Sequence, residues 1–587
     1  MKINVKAYAN ADDVLIAWKA DQWGSDWLGF QIERRDERTG VVTDLVNRIP
    51  PKPGQGPVTN EGVSSALSPI RRCIWTDHSV EATNSVSYRV TAMSGDAGGH
   101  YSLDANSVSD WTEPLLVSGD AGGGLAAFFN RGTIMSQIVS RFVNGDITKE
   151  SLHEFASHLS DPGFPARRYL SGEARHAILT YLAEADRRRN TVHAAIYEIN
   201  DRELVEGLKP FGARGHIIIG NGGGTEPWVA QELKAAKLEV RHRDLSHADR
   251  SSPSVHNKFV VESDGVTNKA LRVLTGSTNW TTTGLCTQLN NVLIAERPVI
   301  AARYFDQWDR LVAAGDNMPA SLLASNAKPT VDNDVALYFA ATKNEVEFRP
   351  ILKLIEEARD GALFLMFTPG QSPLLSALLD RARENKTYIR GVVSSLKESE
   401  KGDIVHIGGQ VVKSGSEAKE FHSDVVLPSG VTKKDRPTWA ETEFNVMEML
   451  KEHMIAIVHS KVIVIDPFSD DCAVVTGSHN FSVSASEKND ENLVIVRGNK
   501  RLAQAYAVHI NGVYDHYSWR VFLANGGNPD LIYKSLDGWK PGGSRAMELD
   551  FWMNTVSSGG SRGELPHAQR RPARSTKGDK KPAHGRR

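Results

Sequence analysis

Two distant stretches of this chain carry the same features in the same order. VHNKFVV holds His256 and Lys258 and is followed by TGSTNW, with Gly276, Ser277 and Asn279; VHSKVIVID holds His459, Lys461 and Asp466 and is followed by TGSHNF, with Gly477, Ser478 and Asn480. Each stretch then enters a further apolar strand, Asn290-Asn291-Val-Leu-Ile in one and Glu491-Asn492-Leu-Val-Ile in the other. A lone His-x-Lys arises by chance in a chain of 587 residues, whereas its paired recurrence with this company does not. The repeat implies a fold built from two like halves.

Each His-x-Lys opens an apolar run of strand length, and in a strand residues i and i+2 share a face. Imidazole and ammonium therefore point into one space. Ser277 with Asn279, and Ser478 with Asn480, obey the same parity, and the glycine before each pair permits close backbone approach. By that parity Asp466 faces the other way and reads as a scaffold residue. Two imidazoles, two ammonium groups and two amides converging on one place make a pocket for a tetrahedral anion. One imidazole can attack phosphorus while the other protonates the leaving oxygen, which requires neither metal nor cofactor.

This tandem set of HxK(x4)D, GSxN and a following acid resembles the phospholipase D superfamily over roughly residues 190–525. The resemblance implies a phosphodiester hydrolase or phosphatidyl transferase working through a phosphohistidine, with two α/β/α halves about a pseudo-two-fold axis and one active site within one chain. It implies His256, Lys258, Asn279, His459, Lys461, Asn480 and Glu491 as catalytic, with Ser277, Asn290, Ser478 and Asp466 in support. It also suggests a crossed pairing, in which Glu491 orients His256 as nucleophile and Asn290 orients His459 as general acid. The copies are unequal: Ser263 stands where the second has Asp466, and Asn290 where it has Glu491. A similar amide-for-acid change occurs in the tyrosyl-DNA phosphodiesterase branch.

At this length the chain exceeds one ordinary core. Charged residues at 24% and hydrophobic ones at 40% exclude wholesale disorder and fibrous classes. Lys+Arg 69 against Asp+Glu 71 leaves no global field for polyanions. Three scattered cysteines suit a reducing compartment and no structural zinc. The N-terminus lacks a signal-like apolar run, so the expectation is a cytoplasmic protein.

Residues 1–118 show short β-type runs, and VLIAW followed by SYRVTAM resembles a fibronectin type III sandwich with Trp18 and Tyr88 as core aromatics. GDAGGG at 119–124 reads as a flexible break, and 119–190 as linker and helical segment, helical from 125 to 189. Strands then alternate with helices, giving an α/β fold with a first half at 191–330 and a second at 331–525. An extension follows at 526–560.

The tail, 561–587, has nine basic residues against two acidic ones and is expected to be disordered. It could be an arm for nucleic acid or anionic lipid, or a solubilising tail. The sandwich could recruit a protein partner and is expected to be separable, leaving a soluble, active fragment from about residue 120. GNGGG at 220–224 lacks the GK[ST] of a P-loop and reads as a strand-to-helix turn rather than a phosphate cradle. RHRD at 241–244 reads as a solvated charge cluster. Trp439 and Trp539 could touch lipid or bases but read as packing residues, and 397–451 is either a substrate-selecting flap or an inert insertion.

The leading function is a metal-independent phosphodiesterase leaning to phospholipid hydrolysis or transphosphatidylation. Nuclease action is the alternative, and a non-catalytic adaptor with a vestigial fold is the third reading. Oligomeric state is open.

Overall fold

The computed structural model describes residues 1–47, 49, 62–95, 101–132, 149–246, 253–370, 372–384, 386–394, 408–414, 417–423, 425–426, 457–524 and 536–555. Trp439, most of 397–451 and the basic tail lie outside the described residues.

Up to residue 116 the described elements are strands. Ile3–Ala9, Val14–Ala20 and Ile74–Asp77 form one sheet; Leu115–Leu116, Ser85–Gly95, Trp27–Asp36 and Val42–Asp44 form another, which Tyr101–Val108 joins. The sheets meet where the Trp18 and Phe30 rings pack edge-on at 5.4 Å. Tyr88 is buried with them and donates its hydroxyl to Asp77.

The rest of the chain is mixed α/β and centres on two eight-stranded sheets. The first runs Asp120–Gly122, Leu125–Phe129, Asn291–Ala295, Ala270–Gly276, Lys258–Ser263, Thr191–Ile196, Gly215–Ile219, Glu239–His242. The second runs Thr330–Asp332, Val335–Ala340, Glu491–Arg497, Ala473–Gly477, Val462–Ile465, Gly361–Met366, Tyr388–Val393, Val425–Val426. Position for position the order is the same, parallel pairing included: only the last three strands of each sheet run parallel to one another.

Side-chain alternation splits each sheet between two cores. Val261 joins the central core and Val260 an outer one; Val462 and Val464 point inward while Ile463 and Ile465 point outward. Helices cover the outer faces, Pro165–Arg187 on the first and Phe348–Glu357 with Pro373–Glu384 on the second. Pro298–Ala314 and Lys500–Ala524 contribute to the central core.

Three readings of the sequence need correction. The glycine run at 119–124 is not a break, and 125–129 is not helical. Both belong to a hairpin whose second strand pairs with Asn291–Ala295, and the glycines supply its turn, with positive φ at Gly122, Gly123 and Gly124. The expectation that the sandwich is separable from residue 120 also conflicts with the packing. Tyr8 lies 4.8 Å from the Phe468 ring and donates its hydroxyl to the Trp552 carbonyl at 2.8 Å; Phe468 in turn packs on Phe551 and Trp552. Ion pairs from Lys19 to Asp550 and from Arg72 to Asp515 fence this apolar seam.

The helix Ala546–Trp552, within the stretch read as an extension, fills the seam. Phe551 stacks on Tyr388 and lies so close to Gly361 that a Cβ there would come within 2.5 Å of it. Trp539 is likewise buried, facing Arg72 and Arg545.

Trp552→Ala is expected to cost about 3–5 kcal/mol in denaturant unfolding, the usual toll for emptying a buried aromatic site. A fragment starting at residue 120 is expected to aggregate, because Phe468 and Trp552 lose their cover. A soluble, monomeric fragment in size-exclusion chromatography would overturn that reading of the seam.

Candidate active site

The two halves are stitched together just ahead of the motif residues. Gln288–Leu289 pairs in parallel with Ile457–Val458, and the next amide, that of His459, donates to the Leu289 carbonyl at 3.0 Å. On the other side the Asp490 amide donates to the Ser254 carbonyl at 3.0 Å. Each short seam sets a histidine of one half beside the residue after the GSxN of the other.

The consequence is a crossed pair. His256 Nδ1 lies 2.8 Å from Glu491 Oε2, and His459 Nδ1 lies 2.9 Å from Asn290 Oδ1. The rings stand 6.4 Å apart, centroid to centroid. Asn290 Nδ2 is committed to the Gly284 carbonyl and its Oδ1 also accepts from Ser277 Oγ, so the amide cannot flip, and His459 Nδ1 must be the donor. A carboxylate partner likewise makes His256 Nδ1 the donor, with Ser478 Oγ donating to the same Glu491 oxygen. Both neutral imidazoles therefore present a bare Nε2.

Lys258 and Lys461 are held alike. Each ammonium donates to the carbonyl of its own histidine and sits over an aromatic ring, Tyr197 at 4.8 Å and Phe367 at 4.9 Å. The same rings flank the imidazoles. Gly276 and Gly477 have φ of 138° and 146°, and a Cβ on them would stand 2.3 Å and 2.4 Å from the carbonyls of Asn291 and Asn492. Only glycine lets the GSxN turn press onto the neighbouring strand. Asn279 Nδ2 donates to Glu198 Oε2 at 2.8 Å, while the Oδ1 atoms of Asn279 and Asn480 are buried without a partner. His256, Lys258, His459, Lys461 and Glu491 are thus assembled around one space, with Asn279 linked to it through Glu198 and Asn480 on the corresponding turn of the second half. Asp466 is elsewhere: its carboxylate accepts the backbone amides of Arg359, Asp360 and Gly361, fixing the start of a strand.

Burial dominates the electrostatics. It brings His256 down to about 4, against the opposing pull of Glu491, and Lys258 down to about 7. Burial and the neighbouring Lys258 hold Lys461 well below its usual range; burial and both lysines do the same to His459. Glu491 is the exception: burial would raise it, but His256 and its hydrogen bond hold it down.

Other residues of the assembly escaped sequence reasoning. Asn492 Oδ1 accepts from Thr275 and Tyr304, and Asn291 Oδ1 accepts from Thr476 and Tyr506, a second crossed set beneath the first. Both asparagines stood in the repeat, which was the available signal. Arg243, read as part of a solvated cluster, is 2% exposed and pairs with buried Asp490 at 2.7 Å across the halves. Asp490 directly precedes Glu491, so this ion pair steadies the acid that holds His256.

Residues 351–514 match the family described as "Cardiolipin synthase, PLD-like domain". The second half is phospholipase D-like. Over 79 residues, 14% of its length, the chain is 39% identical to the mitochondrial cardiolipin hydrolase of Xenopus tropicalis and 38% to that of Xenopus laevis. The match covers 32% of each, so the chain spans about a third of the length of these curated relatives. Among solved structures, the phospholipase D family member Nuc from Salmonella typhimurium is 19% identical with a TM-score of 0.20, over 25% of this chain and 91% of that one. Phosphatidylserine synthase of Haemophilus influenzae is 12% identical with a TM-score of 0.38, over 65% and 94%.

The phospholipase D-like half supplies His459, Lys461, Asn480 and Glu491, and the pocket closes only with the other half. With His256 and His459 neutral and Lys258 only partly protonated at pH 7.5, an anion entering the pocket is expected to draw protons in with it. Sulfate titrations in buffers of different ionisation enthalpy should therefore show net proton uptake. A null or opposite slope would mean that the cations were already charged.

Proposed function

We propose that this chain is a phosphodiesterase of the phospholipase D type, working through a phosphohistidine on His256 and directed at phospholipids. The observation that carries the reading is the crossed pair, two imidazoles aimed at one buried, lysine-flanked space by acceptors of unequal charge.

In the proposed cycle the diester's phosphate binds between Lys258 and Lys461, with amide hydrogens of Asn279 and Asn480 directed at its oxygens. Its negative charge raises the affinity of the pocket for protons, so that His459 takes one on Nε2. His256 Nε2 attacks phosphorus and the bond to the leaving oxygen breaks. That oxygen takes the His459 proton and departs as the alcohol. Glu491 stabilises the positive charge gathering on His256. Water or an alcohol then gives a proton to His459 Nε2 and attacks phosphorus, and the P–N bond pair returns to His256. Water yields hydrolysis and an alcohol yields transfer. Asn290, being neutral, supports an imidazolium less than a carboxylate does, which suits a group that must release its proton.

The lipid direction is supported by the matching family and by the curated relatives, whose names concern a phospholipid carrying phosphodiesters. The test is to incubate the full chain with cardiolipin vesicles, phosphatidylcholine vesicles, single-stranded DNA and RNA, each in EDTA. Lipid turnover is expected; cleavage of nucleic acid alone would move the assignment to a nuclease, and no turnover of any would favour the adaptor reading.

His256→Ala and His459→Ala are each expected to lower turnover by at least about a hundredfold, the low end of what a positioned acid or base contributes. Rapid alkaline denaturation followed by peptide mapping should place the phosphoryl group on His256; a label on His459 reverses the assignment. Because the cationic forms persist only below their lowered pKa values, kcat/KM for a small soluble diester is expected to peak below pH 7 and fall above it. A plateau extending to pH 9 would contradict this.

A further inference from the structure

Where the two halves otherwise correspond, one carboxylate stands alone. The strands Thr191–Ile196 and Gly361–Met366 occupy the same place in their sheets, and each is followed by the aromatic ring that covers a lysine, Tyr197 or Phe367. The next residue is Glu198 in the first half and Thr368 in the second.

The chain builds a seat for this acid. The run at 220–224, read from sequence as a simple turn, wraps it: Gly224 N–H donates to Glu198 Oε1 at 3.1 Å, and a Cβ on Gly222 would stand 2.2 Å from Glu198 Cγ. The Trp280 amide fixes the Glu198 carbonyl at 3.0 Å. On the pocket side, Oε2 takes one hydrogen of Asn279 Nδ2. A carboxylate can only accept, so this bond fixes which way the Asn279 amide faces. Glu198 acts electrostatically on both Lys258 and Lys461, the only carboxylate besides Glu491 that does so among the described residues. The glycine loop therefore cradles a protein carboxylate, and that carboxylate borders the anion pocket.

We propose that Glu198 is a positioning residue that tunes the pocket for singly charged phosphodiesters and against dianions. The inference rests on the phosphate-binding role given to the pocket above. A fixed negative charge beside the lysines removes attraction in proportion to the ligand's charge. A diester carries one unit, whereas the phosphomonoester left by hydrolysis approaches two near neutral pH. Glu198 thus weakens product more than substrate and speeds its departure, while keeping the Asn279 amide set for the diester.

The test compares two probes at one pH, sulfate as the dianion and dimethyl phosphate as the monoanion, by calorimetry on the full chain. In E198Q, sulfate is expected to bind at least about tenfold tighter and dimethyl phosphate about threefold tighter, because the gain scales with charge. G222A, which pushes the acid from its seat without changing the charge count, is expected to shift the sulfate-to-dimethyl-phosphate ratio in the same direction. Should one variant not fold, the other decides on the same ratio. Equal factors for the two anions, or no change, would overturn the inference while leaving the phosphate pocket standing. A wild-type protein that binds neither anion would instead sink the phosphate-pocket reading itself.

Discussion

The bond from His256 Nδ1 to Glu491 and its counterpart from His459 Nδ1 to Asn290 both run from one sheet to the other. Neither half can orient its own imidazole. The surrounding structure serves to keep those crossings at hydrogen-bond length: the parallel contact of Gln288–Leu289 with Ile457–Val458, the Asn291 and Asn492 hubs, and the buried Arg243–Asp490 pair. Tyr304 and Tyr506, on helices after the last strand of each half, bond to the hub of the opposite half. Loss of register at the seam would uncouple the histidines before it unfolded either sheet.

Such a pocket is electrostatically poor until it is filled. Two lysines and two histidines are buried beside Glu491 and near Glu198, and an uncompensated charge there costs several kcal/mol, roughly the effective penalty per buried ion. The site lowers that cost by weakening the hold of its bases on their protons. Anion binding and protonation therefore form one event, and the acid needed for the chemistry is produced by the ligand that needs it. The arrangement also suits a low-dielectric site, where dipoles already in place need not reorganise as charge moves.

Much of the candidate site was legible in the sequence because strand geometry has a period of two. The parity of His256 with Lys258 and of Ser277 with Asn279 places side chains without any tertiary information, and the same parity sends Asp466 to the far side. What could not be read depends on partners remote in the chain. The RHRD segment looks solvated unless one knows that Asp490 faces Arg243. GDAGGG looks like a linker because the positive-φ glycines of a hairpin turn and those of a flexible joint are the same residues; only pairing of Leu125–Phe129 with Asn291–Ala295 tells them apart. The docking of the sandwich was hidden similarly, since Tyr8 and Trp552 sit near opposite ends of the sequence.

A two-fold pocket poses a difficulty that this chain resolves through its sequence. Attack and leaving-group protonation are different jobs, yet symmetry offers two equal histidines. In an assembly of identical subunits, only the substrate's orientation could distinguish them. With both halves in one chain, each can carry its own changes, and here the differences gather at the pocket: Glu491 against Asn290 behind the imidazoles, and Glu198 against Thr368 beside the lysines. Both acids act on both lysines, although one belongs to each half, and Glu491 alone bonds an imidazole, that of His256. On the proposed division of labour this concentrates negative charge where the attacking imidazole becomes positive, and leaves the neutral amide beside the one that must give its proton away. The fold supplies the symmetry that closes the pocket, and a few side chains break it where the chemistry needs a direction.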